Sequence, residues 1–211
     1  MRLDHVDRVV AFMRDVWHLI EDDESQYKPD YVAALAPAVA AVDAGELAWA
    51  DVLRMRRSGI NNLLGWRMLR DLDWLAVEHP DTLRQAVSRL TSEHDADAFW
   101  GVITGSLGVE RARQAMPELR GTGSRASIAS YFLFLRDAYR WPVFRARNHG
   151  SPLAKITGVP LDGRSPAMML IDFYRQLDAL AERLREGGLN VRSPLDVQGV
   201  LWVLSYKKVL Q

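Results

Sequence analysis

Hydrophobic residues recur along this chain every three or four positions, the spacing that places side chains on one face of an α-helix. The first such stripe predicts a helix from about residue 3 to residue 20 and consists of Leu3, Val6, Val9, Val10, Met13, Trp17 and Ile20. No segment shows a convincing run of the apolar–polar alternation that is typical of a β-strand. The pattern therefore predicts an all-α fold of about ten to twelve helices.

Helix-breaking and capping residues divide the N-terminal half into several helices. Pro29 suits the first turn of the alanine-rich segment that follows it, and Pro37 is expected to kink or divide that helix. Further helices are predicted over 46–57, 63–79, 80–90, 95–107 and 109–116. The candidate N-caps of the helix over 63–79 are Ser58, Asn61 and Asn62.

The C-terminal half carries equally clear helix boundaries. Residues 142–158 are expected to form two short helices joined by a glycine turn. Ser165-Pro166 begins a long helix, and Gly187-Gly188 ends it. The last helix begins at Ser193-Pro194 and reaches the C-terminus without a cap, so the chain is expected to be a domain of a longer protein.

Composition narrows the class of protein. The 211 residues are 48% hydrophobic and 26% charged, which is ordinary for a soluble globular protein that buries a core. The absence of cysteine excludes disulfides, thiolate metal sites and cysteine nucleophiles. The charged N-terminus lacks the apolar stretch of a signal peptide, and no apolar run could span a membrane. We therefore expect a cytoplasmic protein with no membrane partner.

The net charge of zero conceals a strong asymmetry between the two halves of the chain. Residues 1–110 carry 11 Lys and Arg against 19 Asp and Glu, whereas residues 111–211 carry 16 against 8. Of the 16 cations, 13 are arginine, whose planar fork suits phosphate. The asymmetry predicts an acidic helical subdomain over 1–108 and a basic one over 109–211. Such an asymmetry is typical of a protein in which one half binds a polyanion. It is equally consistent with an acidic and a basic face of the same protein that attract each other.

The sequence Leu119-Arg120-Gly121-Thr122-Gly123 followed by Ser124 and Arg125 predicts a tight turn that leads into a helix. Two glycines one residue apart allow positive φ angles and a close approach of the backbone to another molecule. The amides of Gly123, Ser124 and Arg125 are then the unpaired donors of a helix N-terminus, which suits one phosphate.

This arrangement of helix, G-x-G turn and helix resembles the helix-hairpin-helix motif of the DNA glycosylase superfamily. The resemblance extends over about residues 110–206, in the form found in McrB-like ATPases and other prokaryotic restriction and defence proteins. The middle element of that pattern is matched by Phe134-Leu135-Arg136-Asp137 and Tyr139–Phe144, and the last by Leu195-Asp196 and Leu201-Trp202. The resemblance implies DNA as the favoured partner and a further effector or ATPase domain or subunit.

The departures from the glycosylase pattern concern the catalytic groups. Arg125 stands near the position of the lysine nucleophile, and a guanidinium cannot form a Schiff base. The essential aspartate would fall within Val143–Arg147, where there is no carboxylate, and Asp137 lies at least a helical turn too early. We therefore expect a binding module without base-excision chemistry, without a cofactor and without a metal.

Other residues offer weaker candidates. Arg140, Arg145, Arg147 and Lys155 could extend the phosphate contact, or they could form a solvated face paired with the acidic half. His94, Asp95 and Asp97 superficially resemble a metal-binding trio, but a serine or aspartate before an apolar helix is an ordinary cap, and no further His or carboxylate pair is available as a partner. The core is expected to hold most of the tryptophans, together with Phe132 and Phe134, whereas Tyr139 is the aromatic residue expected to be exposed.

The sequence thus predicts a non-catalytic nucleic-acid-binding module of a prokaryotic defence or restriction system. Its predicted contacts are Gly121, Thr122, Gly123, Ser124, Arg125, Arg140, Arg145, Arg147 and Lys155. The alternative is a protein-interaction or oligomerisation domain in which the hairpin is purely structural. That alternative expects the basic half to pack on the acidic half and an exposed tryptophan patch to contact a partner.

Overall fold

The computed structural model describes residues 3–20, 25–55 and 63–206. These ranges contain eleven α-helices and no strand, which confirms the predicted all-α fold. The helices are α1 (Leu3–Val16), α2 (Ser25–Asp43), α3 (Trp49–Met55), α4 (Trp66–Glu78), α5 (Pro80–Ser88), α6 (Ala96–Leu107), α7 (Val109–Ala115), α8 (Thr122–Arg136), α9 (Ser151–Thr157), α10 (Pro166–Glu186) and α11 (Pro194–Tyr206).

The N-terminal helices follow the predicted stripes, with corrections at both prolines of α2. Pro29 is expected in the first turn, but α2 begins at Ser25 and Pro29 lies inside it. In α1 the predicted apolar side chains from Val6 to Met13 are buried. The expected division at Pro37 is wrong, because α2 continues through both of its prolines. A proline removes only one hydrogen-bond donor, and here Tyr31, Leu35 and Val39 anchor the helix in the core on both sides of it. The predicted caps Ser58, Asn61 and Asn62 lie outside the described residues.

The boundaries of α10 are those that its capping residues predict. The Ser165 hydroxyl accepts a hydrogen bond from the Met168 amide at 3.2 Å, which caps the first turn. Gly188 ends the helix with a φ of 84°, a left-handed conformation that favours glycine.

The core is built around α8, in which every residue from Ala126 to Leu135 is buried. α10 packs against α8 and also contacts α6, α9 and α11, while α2 lies against α8. A helix enclosed in this way has no polar face, which explains the dense apolar sequence of α8. Phe132 and Phe134 are buried as predicted.

The buried side chains of the acidic and basic halves belong to one continuous cluster. In its interior the hydroxyls of Tyr31 and Tyr131 lie 3.2 Å apart and join α2 to α8. Arg136 and Asp43, 4.0 Å apart, also form an ion pair across residue 108, and both of its side chains are partly exposed. Apolar burial, rather than charge attraction, therefore holds the halves together.

The tryptophans divide between core and surface. Trp49 and Trp100 are only 3% and 4% exposed, as predicted. Trp66, which begins α4, is in contrast 69% exposed, and the guanidinium of Arg67 lies over its ring. Trp202 is 40% exposed and stacks on Tyr206 with ring centroids 5.3 Å apart.

Candidate functional site

The candidate site is the N-terminus of α8, and the helix begins one residue earlier than the sequence predicts. Gly121 is the N-cap, and the Arg125 amide already donates to the Gly121 carbonyl oxygen at 3.0 Å. The amides without an acceptor inside the helix are therefore those of Thr122, Gly123 and Ser124, and no side chain caps them in the described structure. The predicted role of the Arg125 amide as a phosphate donor is wrong, because that amide is already used.

The two glycines also act differently from the prediction. Neither needs a positive φ, since Gly121 is extended at −80° and Gly123 is helical. Gly123 is required for a close approach: a Cβ at this position would lie 3.1 Å from the Cβ of Ala146. A Cβ on Gly121 would meet nothing within 4 Å, so the space in front of the uncapped amides is open on that side.

The contact with Ala146 brings a second segment of the chain to the same place. Residues 142–145 have no regular secondary structure and are followed by a single π-helical turn, Ala146–Gly150, which continues directly into α9. The predicted glycine turn between two short helices is therefore wrong, because Gly150 has the helical φ of −63°. Arg145 and Arg147 are the chain neighbours of Ala146, so their backbone lies near the N-terminus of α8.

His149 holds this segment in place from the interior. Its Nδ1 accepts a hydrogen bond from the Arg145 amide at 3.1 Å, and its ring lies parallel to that of Phe173. Burial lowers the pKa of His149 to about 3, helped by the charges of Lys28 and Arg145, so the ring is neutral. Because Nδ1 accepts a hydrogen bond, the proton of the neutral ring is on Nε2. The Val143 carbonyl oxygen also forms a hydrogen bond with this ring and therefore accepts it from this Nε2–H group.

The two arginines of the segment differ in exposure. Arg147 is exposed to solvent, whereas Arg145 is half-buried, and burial lowers the pKa of its guanidinium. A guanidinium remains charged despite such a shift. Of these two guanidinium groups, that of Arg147 is therefore the more accessible to an anion from solvent.

Arg125 points back toward the preceding helices. Its Nε donates to the Leu119 carbonyl oxygen at 2.9 Å, and its guanidinium lies 5.5 Å from the ring centre of Trp100. The Trp100 Nε1 in turn donates to the Arg125 carbonyl oxygen at 3.0 Å. Burial, followed by the like charge of Arg113, lowers the pKa of Arg125.

Two predicted site residues lie elsewhere. Arg140 follows the C-terminus of α8, a helix about 20 Å long at 1.5 Å per residue, and stacks on Trp141 at 4.4 Å. Lys155 is on α9, where its carbonyl oxygen accepts from His5 Nδ1 of α1 at 3.0 Å. The structure therefore does not bring Arg140 to the N-terminus of α8, and it sets Lys155 against α1.

Arg113 lies close enough to Arg125 for their charges to interact, and Arg120 contacts Arg113, although the sequence did not predict either as a site residue. The Nε of Arg120 donates to the Arg113 carbonyl oxygen at 2.8 Å. The three arginines come from α7, from the residue after a 3-10 turn at Pro117–Leu119, and from α8. Because the three arginines belong to separate elements, the periodicity of a single helix does not predict that they lie close together. The sequence shows only that arginines are frequent in this region.

The acidic residues predicted as caps do serve as caps. The Asp95 carboxylate accepts hydrogen bonds from both the amide and the hydroxyl of Thr91 and of Ser92, completing a capping box before α6. Asp97 accepts from the Ala167 amide at 3.0 Å and so caps α10. No group of three or more metal-binding side chains occurs in the described ranges.

Comparison with known proteins adds no relative. No protein-family model matches the chain, and neither a curated protein nor a solved structure is significantly similar to it. Within the described residues, no helix combines the length and the apolar character needed to cross a membrane. The function therefore has to be inferred from the chemistry of the α8 N-terminus.

Proposed function

We propose that this chain is a non-catalytic nucleic-acid-binding module that holds a backbone phosphate at the N-terminus of α8, with DNA as the favoured nucleic acid. The observation that carries the proposal is the meeting of three uncapped amides with the segment Arg145–Arg147 at the 3.1 Å approach between Gly123 and Ala146. A helix N-terminus favours an anion through its amides and its dipole, and a nearby guanidinium adds charge and direction.

A comparison of Arg147 with the paired arginines of α10 supports this assignment. In the described structure two arginines of α10 are neutralised locally, Arg175 by Asp172 and Arg183 by Glu186. Among the same residues, no carboxylate lies within 4.0 Å of the Arg147 guanidinium. The N-terminus of α10 is itself capped by Ser165 and by a carboxylate, whereas that of α8 has neither.

The biological setting of the proposal rests on the motif resemblance alone. A module of this kind in a prokaryotic defence or restriction system would act in the cytoplasm. It would work beside an effector or ATPase domain or subunit that acts on the bound DNA.

Gly121→Asp tests the proposal directly. The backbone at Gly121 suits an N-cap residue, and its Cβ would meet open space. An aspartate there should stabilise the fold by about 0.5–1 kcal/mol while its carboxylate occupies the phosphate position. We expect duplex DNA affinity at low salt, measured by fluorescence anisotropy, to fall by more than about tenfold while the melting temperature rises.

Gly121→Ala is the matched control, because it adds a Cβ but neither a cap nor a charge. It should bind DNA as the wild type does at temperatures where it is folded. Equal binding by the aspartate and alanine variants, or no binding by the wild type at low salt, contradicts the proposal.

A second candidate function is a protein-interaction domain. The observation that favours it is the exposed pair Trp202 and Tyr206, whose rings are stacked and parallel, since exposed aromatic residues are common at interfaces. In that case the α8 N-terminus is purely structural. Light scattering alongside the DNA titration separates the candidates, because this one predicts association of the protein and no binding of duplex.

A further inference from the structure

Three arginines surround the connection between α7 and α8, and we call Arg113, Arg120 and Arg125 the arginine cluster. Two of them are anchored by Nε: Arg120 to the Arg113 carbonyl oxygen at 2.8 Å, and Arg125 to the Leu119 carbonyl oxygen at 2.9 Å. Within the described structure their Nη groups make no hydrogen bond. Each anchored guanidinium therefore has a fixed position and an unused pair of donors.

The positive charge of the arginine cluster is not neutralised by the chain. No carboxylate of the described residues lies within 4.0 Å of any of its three guanidinium groups, in contrast to Arg175 and Arg183 on α10. The charge of Arg113 acts against that of Arg125 strongly enough to contribute to the lowered pKa of Arg125, after burial. Like charges held close together in this way favour a bound anion between them.

The surroundings of the arginine cluster indicate which part of a nucleic acid it contacts. Stacking on bases needs an exposed aromatic ring. The ring that contacts the cluster, Trp100, is only 4% exposed and lies under the guanidinium of Arg125. Guanidinium forks without an accessible ring suit phosphate oxygens, which they bind through two parallel hydrogen bonds.

We infer that the arginine cluster is a second phosphate-binding site, which holds the phosphodiester next to the one at the N-terminus of α8. The inference rests on the proposed function, since it assigns a further contact to the same nucleic acid. Arg125 lies in the first turn of α8, so the two sites are separated by less than one helical turn of protein. The backbone of one strand can therefore contact the amides and the arginine cluster together.

The test is a duplex DNA titration at several salt concentrations with Arg113→Gln, Arg120→Gln and the double variant. Both residues are exposed, so the fold should be preserved, and far-UV circular dichroism checks it. Each phosphate interaction that a variant removes should lower the slope of log affinity against log salt by about 0.9, and the affinity at low salt by about tenfold. The matched controls Arg175→Gln and Arg183→Gln remove the same charge from locally paired arginines and should change the slope little.

The outcomes separate the two claims. A reduced slope in the cluster variants alone supports the inference. If the wild type binds duplex but the cluster variants keep its slope, or change it no more than the controls do, the inference is overturned and the proposed function stands. If the wild type does not bind duplex at all, both are overturned.

Discussion

Two uncharged residues at the candidate site, Gly123 and His149, determine where the backbone of the site lies. Gly123 permits the approach of Ala146, and His149 fixes the backbone that presents Arg145 and Arg147. His149 does so as a neutral acceptor, which the sequence could not show, because a histidine between Asn148 and Gly150 is equally typical of an exposed turn. The ring is instead 5% exposed and packs beside Phe173.

His149 should make stability depend on pH. Its folded pKa of about 3 is below the ordinary value of 6.5, so the unfolded chain binds more protons between these values. Stability should therefore fall as the pH decreases from about 6 to about 4.5, by up to about 1.4 kcal/mol per pH unit. Urea unfolding at several pH values measures the slope.

His149→Asn keeps an acceptor for the Arg145 amide but cannot titrate, so most of this slope should disappear. His94→Asn is the control, because His94 is exposed and its removal should leave the slope in place. The same slope in the wild type and in His149→Asn would show that His149 is not the titrating group.

Among the helices, the sequence predicts their existence better than their junctions. The caps of α10 follow from local chemistry at Ser165 and Gly188, and the apolar run of α8 indicates a buried helix. The junctions were predicted poorly: α8 begins earlier than expected, and the turn near Gly150 is helical. Both differences arise because distant segments, rather than neighbouring residues, pack against these junctions.

The contact between α1 and the end of α10 provides a test of helix packing. A Cβ on Gly187 would lie 2.6 Å and 2.8 Å from the two γ-carbons of Val10, a buried and rotationally stiff side chain. Gly187→Ala should therefore destabilise the protein by about 1–3 kcal/mol, measured by urea unfolding.

Two further variants control for this prediction. Adding Val10→Ala to Gly187→Ala should recover part of the stability, because the two residues are in contact and their effects are not additive. Gly101→Ala lies inside α6 with nothing within 4 Å. It should therefore stabilise the protein by about 0.5–1 kcal/mol. Equal destabilisation by both glycine substitutions would contradict the steric explanation.

Over the full molecule, the charge separates the chain into two halves, whereas the packing of the core does not. The charge changes sign near residue 108, but the buried cluster includes side chains from Val6 to Leu204. We therefore expect residues on both sides of this point to unfold in one transition. Tryptophan fluorescence and far-UV circular dichroism should give coincident urea curves, since small cooperative units unfold in two states.

Salt provides the control for this expectation. Since the halves share one continuous apolar core and the Arg136–Asp43 pair between them is partly exposed, raising the salt concentration should shift the midpoint little. Two separated transitions, or a midpoint that falls steeply with salt, would show that charge attraction holds two independent halves together.

Local sequence was enough to define the helical class, the approximate extent of most helices and most of the buried aromatic residues, because hydrophobic period and capping chemistry act over a few residues. Tertiary packing alone established that the segment Arg145–Arg147 passes the N-terminus of α8 while Arg140 lies elsewhere, and that Arg113 lies near both Arg120 and Arg125. These contacts depend on how segments return after loops and turns. Their energies come from packing between elements, which no local pattern encodes.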